Sequence, residues 1–248
     1  MAVSANTLFH FTEKDRLKEI LLNGFFPKYS LEDLSNATPD GSPYSAAHTP
    51  MVCFCDLVFS QIKRHIDFYG NYGIGLRKDG WGRRKGISPI VYVPANSISA
   101  KLIESMATEI SNKLKDDPNK ESILKQLHDF YKYVKPYSGP ALNKRTKKME
   151  DKIFYEEREW RYVPKKFPML SGVNSKKDDI EGANLSMKKS PLNFSARDIK
   201  YIIVKSEKEI PDLVEYIETK LVNRFPNEKE RKLLVSKLIS VDQIDDDV

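Results

Sequence analysis

The sequence predicts a single α+β domain, in which strands and helices follow one another without a regular strand–helix–strand alternation. Short apolar runs typical of buried strands, such as residues 89–93 and 201–204, are separated by longer stretches with helical periodicity, such as 97–115. The chain has 248 residues and 40% of them are hydrophobic, which is enough for one sizeable core. We therefore expect residues 1–248 to form one domain.

The first half of the chain predicts a mixture of short elements. Residues 7–12 predict a strand and about 13–23 a helix, for which Thr12 is a suitable N-cap and Gly24 a suitable C-cap. Residues 27–50 show no period, so we predict a long loop, often a lid or a binding loop in compact domains. The next predicted elements are a strand at 51–54, a helix that ends at Gly70, a strand at 72–76, a basic loop at 77–88 and a strand at 89–93.

The second half predicts more helix. Helical periodicity at about 97–115 and 120–134 indicates a helical insertion at about 97–135. The aromatic stretch 153–163 predicts one strand, and residues 165–190 are polar and irregular. The remaining predicted elements are a strand at 201–204, a helix at 211–224, a short helix near 228–238, a strand at 238–241 and a short acidic tail at 242–248.

Composition excludes several classes of protein. No apolar run approaches the ~20 residues of a membrane helix, and the N-terminus lacks the features of a secretory signal. We therefore expect a cytoplasmic protein with no membrane partner. The two cysteines and four histidines match no zinc-binding spacing, so we predict no metal site.

The net charge of +6 is concentrated in two segments, 77–86 and 144–152. Basic residues can follow a phosphate backbone while an aromatic ring stacks on a base. The sequence therefore offers a nucleic-acid interface, although two solvated basic loops explain the charge equally well. The candidate residues are Arg77, Lys78, Trp81, Arg83 and Arg84.

The acidic segment 155–161 is the most informative candidate site. On a strand, Glu157, Glu159 and Arg161 share one face, while Trp160 on the other face packs on the core. The two carboxylates would then lie about 7 Å apart, which suits a polyhydroxylated ligand. The alternative is an edge strand whose charges face water, and this segment alone favours that alternative.

Other motifs carry weaker signals. His10 lies between two phenylalanines on a strand, where a lone histidine is more often structural than functional. The glycines of 70–75 do not form the phosphate-binding fingerprint, which needs a different spacing between a strand and a helix. Cys53 or Cys55 could be a nucleophile with His65 as its base, but two small thiols on an apolar strand are usually core residues.

The order of four motifs resembles that of AbiGi-type abortive phage infection proteins, which are bacterial anti-phage or toxin–antitoxin components. These motifs are LFHFT at 8–12, MVCFCD at 51–56, YGNYGIGL at 69–76 and EEREWRY at 156–162. Their layout is also similar to the ADP-ribosyltransferase superfamily. Because Cys53-Phe54-Cys55 stands where the arginine-type transferases carry Ser-Thr-Ser, the similarity is to the His-Tyr-Glu type.

The second resemblance implies an ADP-ribosyltransferase-like fold of two small packed sheets with peripheral helices, and NAD as a substrate. It implies that Glu159, or Glu157, is the catalytic acid that grips the nicotinamide ribose. A fixed carboxylate there would stabilise the positive charge that develops on the sugar. The implied NAD-binding residues are His10, Thr12, and either Tyr69 or Tyr72.

Together these inferences predict a NAD-dependent toxin of an anti-phage or toxin–antitoxin system. It would modify RNA or DNA and have a neutralising protein partner. One alternative is a non-catalytic antitoxin or binding module. Another is a nuclease-like toxin in which Glu157 and Glu159 use Mg²⁺.

Overall fold

A computed structural model describes residues 5–35, 37–38, 42, 45–114, 117–143, 146–172 and 174–247. Within these ranges the strands are β1 Leu8–Thr12, β2 Lys28–Asp33, β3 Ala46–Cys55, β4 Tyr72–Leu76, β5 Ser88–Pro89, β6 Val91–Val93, β7 Val134–Pro136, β8 Ser138–Leu142, β9 Met149–Ile153, β10 Glu159–Tyr162, β11 Leu170–Ser171, β12 Ile199–Val204 and β13 Leu238–Ser240. The helices are α1 Lys14–Asn23, α2 Lys63–Tyr69, α3 Ile98–Lys113, α4 Lys120–Tyr131, α5 Lys177–Met187, α6 Ile210–Lys220, α7 Glu228–Val235 and α8 Val241–Asp247.

The strand β3 joins two parts of a nine-stranded sheet. Its second half pairs with β10 on one side and meets β1 on the other, while its first half pairs with β2 and β11. The sheet continues from β1 through β4 to β12, and β13 closes it as a parallel strand, in the order β13-β12-β4-β1-β3-β10-β5. The ten residues of β3 therefore set the positions of β1, β2, β10 and β11 relative to one another.

The main core lies where α1 and α6 cover the sheet. All five residues of β4 are buried, which fits its place between β1 and β12. Helix α1 buries Leu17, Ile20 and Leu21 at the spacing that the sequence predicts, and it ends at Gly24, whose φ is 80°. A second cluster, around Val134 on the β6–β7 pair, lies under α3 and α4, which form at the positions predicted for the insertion.

The loop predicted at 27–50 is wrong. This segment contains β2 and the first half of β3, which pair over six residues. The sequence of β2, Lys-Tyr-Ser-Leu-Glu-Asp, is too polar to predict a strand. Its polar groups are hydrogen-bonded or paired with residues of distant segments. The backbone N–H of Tyr29 donates to Asn184 on α5, and Glu32 pairs with Arg161. The irregular segment predicted at 165–190 is also wrong, since it contains β11 and α5.

The single strand predicted at 153–163 is wrong as well. β9 ends at Ile153, and a 3₁₀ turn at Phe154–Glu157 follows it. Arg158 then adopts a left-handed conformation with φ 45°, and β10 begins at Glu159. The turn separates β9 from β10, which belong to different sheets.

Within the described ranges, the structure has one nine-stranded sheet and two two-stranded sheets in place of the expected two small packed sheets. β2 and β11 are connected to the main sheet through β3, and two further two-stranded sheets, β6–β7 and β8–β9, stand beside it. The α+β class with peripheral helices is confirmed. In the part of the chain that the structure describes, no helix has the length and hydrophobicity to span a membrane.

Candidate functional site

The candidate site lies where β1, β3 and β10 run side by side. Cys55 of β3 is the register partner of Phe9 on β1 and of Glu159 on β10. This register brings together residues that are far apart in the sequence. His10, next to Phe9, is fixed by a hydrogen bond of 2.8 Å between its Nδ1 and the carbonyl oxygen of Cys53, and because a carbonyl only accepts, Nδ1 carries the proton.

A cavity of about 480 Å³ opens at this junction. Its volume is within the range of about 300–1,000 Å³ that is typical of small-molecule sites. Phe25 and Phe54 pack against the His10 ring, with ring centroids 5.2 and 5.9 Å away, and form part of an aromatic wall. The polar residues that line the cavity include His10, Thr12, Glu32, His65, Tyr69, Lys135, Glu157 and Glu159.

A buried network of ion pairs forms the charged end of the cavity. Lys135 Nζ lies 2.7 Å from Glu157 Oε2 and 2.7 Å from Glu159 Oε2, so one ammonium bridges both carboxylates. Arg161 is fully buried and contacts Glu159 through Nε at 2.5 Å and Glu32 through Nη2 at 2.9 Å. We call Glu32, Lys135, Lys152, Glu157, Glu159 and Arg161 the ionic cluster.

Lys152 and Tyr69 complete the ionic cluster around Glu157. Lys152 Nζ lies 2.7 Å from Glu157 Oε1 and 3.0 Å from the Tyr69 hydroxyl, which itself donates to Glu157 Oε1. Three carboxylates therefore meet three cations. Each oxygen of Glu157 and of Glu159 already accepts a hydrogen bond from a cationic side chain.

The pKa values within the cluster follow from this pairing. Burial alone would raise the pKa of the Glu159 carboxyl, but Arg161 and Lys135 hold it far below its usual value. Burial would likewise lower the pKa of Lys135, yet Glu159 and Glu157 raise it well above its usual value. Glu159 and Lys135 are therefore both charged at neutral pH. Burial outweighs the neighbouring charges at two other members, raising the pKa of Glu32 and lowering that of Lys152.

Two neighbours of the cluster stay neutral. Burial raises the pKa of the Tyr69 hydroxyl, and the charge of Glu157 raises it further. Burial lowers the pKa of His65 to about 4, so its imidazole carries no charge at neutral pH. The cavity thus presents neutral hydrogen-bonding groups beside carboxylates that are already neutralised.

Five of the six residues proposed for catalysis and NAD binding line this one cavity, namely His10, Thr12, Tyr69, Glu157 and Glu159. Tyr72 does not. Its hydroxyl donates to Glu209 at 2.9 Å, in a small cleft beside α1. The roles of the five remain predictions.

The alternative interpretation of segment 155–161, an edge strand whose charges face water, is wrong. Glu157 and Glu159 are each 4% exposed, and β10 is paired on both sides.

The nucleic-acid interface predicted around Trp81 is wrong for that residue. Trp81 is fully buried and its indole N–H donates to the Asn193 carbonyl at 3.0 Å, so it cannot stack on a base. Lys78 is also largely buried, and it pairs with Asp56 at 2.9 Å.

The three arginines of segment 77–86 do reach the surface, where each has a partner. Arg77 donates to the Arg197 carbonyl, Arg83 pairs with Asp79, and Arg84 pairs with Asp198. In segment 144–152, Lys144 and Arg145 lie outside the described residues. The same segment ends with Lys152, which turns inward to Glu157.

The sequence reasoning missed Lys135 and Glu32. Lys135 is the one charge in Tyr-Val-Lys-Pro-Tyr at 133–137, and an isolated lysine in an apolar run indicates a buried partner of opposite charge. Glu32 carries no such signal, because it sits in a polar segment. No three His, Cys, Asp or Glu side chains within the described ranges are grouped so that they could hold a metal ion.

A family model described as abortive phage resistance protein AbiGi, antitoxin, matches residues 23–205. The chain therefore belongs to the AbiGi family of abortive phage resistance proteins. It is 28% identical over 247 residues to the abortive phage resistance protein AbiGi of Lactococcus lactis subsp. cremoris, an alignment that covers 90% of this chain and 99% of that relative. No solved structure matches the chain, and none of the comparisons shows the resemblance to ADP-ribosyltransferases that the motif order suggested.

Proposed function

We propose that this protein is the antitoxin of an abortive infection system, and that it binds and restrains a toxin without catalysing a reaction itself. The observation that carries the proposal is that every oxygen of the two buried carboxylates, Glu157 and Glu159, is already paired with a cationic side chain. Glu159 accepts from Arg161 on one oxygen and from Lys135 on the other. The description of the matching family as an antitoxin supports the same conclusion.

The physical argument concerns the charge that a transferase would need. Breaking the nicotinamide–ribose bond places positive charge on the sugar, and a catalytic carboxylate must offset that charge. In the ionic cluster, both oxygens of Glu157 and both oxygens of Glu159 are already paired with cationic side chains. Carboxylates paired in this way offer little stabilisation to a developing cation.

Growth provides the test of the antitoxin proposal. The protein encoded by the adjacent gene is expressed alone and together with this chain, and cell growth is followed after induction. We expect growth arrest with the neighbour alone and recovery with both proteins, accompanied by a complex that survives gel filtration. A neighbour that arrests growth equally in the presence of this chain would contradict the proposal.

A second candidate, a NAD-dependent ADP-ribosyltransferase, is favoured by one specific observation. His10, Tyr69 and Glu157 line a single cavity, although they lie up to 147 positions apart in the sequence. Incubation with labelled NAD and total cellular RNA, DNA and protein separates the two candidates. The antitoxin proposal expects no transfer to any pool. Transfer that is lost in Glu157→Gln, while that variant keeps the wild-type unfolding curve, would establish the transferase instead.

A further inference from the structure

We propose that the outer face of the β8–β9 hairpin is the surface that docks the toxin, and that it recognises an apolar protein surface bordered by acidic side chains. This inference rests on the antitoxin function proposed above. The face is defined by the hairpin register, in which Leu142 lies opposite Met149 and Ser138 opposite Ile153. We call Leu142, Met149 and Ile153, with Tyr137 and Tyr155 at the base, the hairpin strip.

The side chains of the hairpin strip are apolar or aromatic, and a large fraction of each is exposed to solvent. Met149 is 62% exposed, Leu142 53% and Ile153 44%, and the two tyrosines are exposed by more than a third. The Leu142–Met149 pair and Ile153 share one face of the hairpin, with Pro140 and Asp151 between them. Large apolar side chains grouped on one exposed face are typical of protein–protein contact, whereas isolated ones need no explanation. Within the described residues, neither strand of the hairpin pairs with a further strand.

The inner side of the hairpin is anchored, so the strip is held rigidly. Lys152 points inward to Glu157, and its ammonium lies 3.7 Å from the centroid of the Phe68 ring. At the base, the rings of Tyr137 and Tyr155 stack with centroids 5.5 Å apart. Rigid presentation reduces the conformational entropy that binding would cost.

The described residues of the hairpin turn also make hydrogen bonds with one another. The N–H of Asn143 donates to the Lys148 carbonyl, and the N–H of Lys147 donates to the Asn143 carbonyl. Lys147 adopts a left-handed conformation with φ 59°. Glu150 accepts from the Thr146 hydroxyl and from Asn143, so the described part of the turn is tied together by its own polar groups.

Charge identifies the kind of partner. Among the described residues of the turn, Lys147 and Lys148 are exposed at the end of the strip next to Met149. An apolar centre with a charged rim is the usual anatomy of a protein–protein interface. A basic rim is complementary to a partner surface that is rimmed by Asp and Glu, and such complementarity favours the correct partner.

The same features favour a protein over a nucleic acid. Protein–nucleic acid interfaces are more polar and more strongly positive than protein–protein interfaces. Here three large apolar side chains lie along the surface, and the acid Asp151 lies on the same face, between Met149 and Ile153. A carboxylate among apolar side chains repels a phosphate backbone.

Binding measurements with matched variants test the proposal. The adjacent-gene protein is titrated with the wild-type chain, with Leu142→Ser/Met149→Ser, with Lys147→Glu/Lys148→Glu, and with the control Leu185→Ser. Leu185 is 61% exposed on α5, so the control removes an equally exposed leucine elsewhere. We expect binding to weaken about tenfold or more for each hairpin variant and by less than about twofold for the control. Total RNA and DNA are titrated in parallel.

Hydrogen exchange on the unaltered chain gives an independent readout. Residues 138–142 and 149–153 should gain amide protection in the complex, and α5 should not. Wild-type affinity in both hairpin variants, or an unprotected hairpin, would overturn the docking surface while leaving the antitoxin function intact. Hairpin variants that no longer bind nucleic acid but still bind the adjacent-gene protein would overturn it in favour of a nucleic-acid site. A wild-type chain that neither binds nor restrains its neighbour would refute both proposals.

Discussion

Lys135 Nζ and Glu159 Oε2 lie 2.7 Å apart in a site where the lysine side chain is 12% exposed and the glutamate side chain 4%. This contact links β7, which belongs to the small β6–β7 sheet, to β10 of the main sheet. Lys135 makes a second contact of the same length to Glu157 in the turn before β10. A single ammonium thus fixes two sheets and one turn relative to one another.

Removal of this ammonium should destabilise the fold strongly. We expect Lys135→Met to lower the free energy of unfolding by about 3–5 kcal/mol, because it leaves two buried carboxylates short of a partner. Urea denaturation of the variant and the wild type measures the difference. Lys113→Met is the control, since Lys113 pairs with Glu109 on the exposed face of α3, and we expect no measurable change there. Equal effects of the two substitutions would contradict the role assigned to Lys135.

The free energy of unfolding should decrease as the pH is lowered, and this decrease should begin at a higher pH than the titration of the carboxylates. Burial lowers the pKa of His65 to about 4 in the folded state, whereas it is 6.5 when unperturbed. Between these values the unfolded chain binds the proton and the folded chain does not, so acid favours unfolding. A shift of this size corresponds to roughly 3 kcal/mol, present in full above pH 6.5 and lost as the pH falls to about 4.

Denaturation curves at pH 7, 6, 5 and 4.5 check this dependence. In His65→Phe the loss over this interval should be much smaller, while His128→Phe on α4 should retain most of it. A slope that is unchanged in His65→Phe would assign the pH dependence to other groups. Below about pH 4.5 a further loss is expected in every variant that keeps Glu159, because the pKa of its carboxyl is lowered in the folded state and the unfolded chain protonates first.

Gly70 is required by the backbone at the end of α2. Its φ is 132°, and a Cβ at this position would collide with the carbonyl oxygen of Thr12 on β1. Gly70→Ala should therefore cost about 1–3 kcal/mol from backbone strain, with a further cost from the displaced strand. Gly182→Ala in α5 is the matched control, because nothing lies within 4 Å of its added methyl group. Thermal denaturation should show the control to be more stable than the wild type, by about 0.5–1 kcal/mol.

Trp81 should act on stability and not on nucleic-acid binding. Trp81→Ala empties a fully buried position beside Phe25 and Phe54 and removes the donor to Asn193. We expect a loss of about 3–5 kcal/mol in urea denaturation. Phe130→Ala on α4, where the ring is 41% exposed, should lose much less. Comparable losses would show that the Trp81 pocket refills by relaxation.

Local signals were sufficient for elements whose apolar face is continuous. The stripe of α1, the uniformly buried β4, the buried end of β12 at 202–204, and the proline in the first turn of α6 all lie where the sequence predicts them. The strand β2 could not be predicted in this way, because its polar side chains and backbone are satisfied by partners that are distant in sequence, Asn184 and Arg161. Helix α5 has one buried side chain, Met187, and therefore no apolar stripe to recognise.

The candidate site shows the same division. Motif order was enough to nominate His10, Tyr69, Glu157 and Glu159, which the structure places around one cavity. The sequence around Glu157 gave no sign of the turn at Phe154–Glu157, which precedes β10. Arg158 adopts its left-handed conformation without a glycine, and the residue before it, Glu157, is paired with Lys135 and Lys152 from other strands.

The acidic helix α8 is part of the packed structure and not a loose appendage. Ile244 is 4% exposed and belongs to the cluster that contains Phe9 and Phe11, the two rings that flank His10 in the sequence. The Ser240 hydroxyl and the Gln243 side chain hold the start of the helix through reciprocal hydrogen bonds. Deleting this helix to remove its negative charge would therefore uncover the apolar rings of β1 against which Ile244 packs.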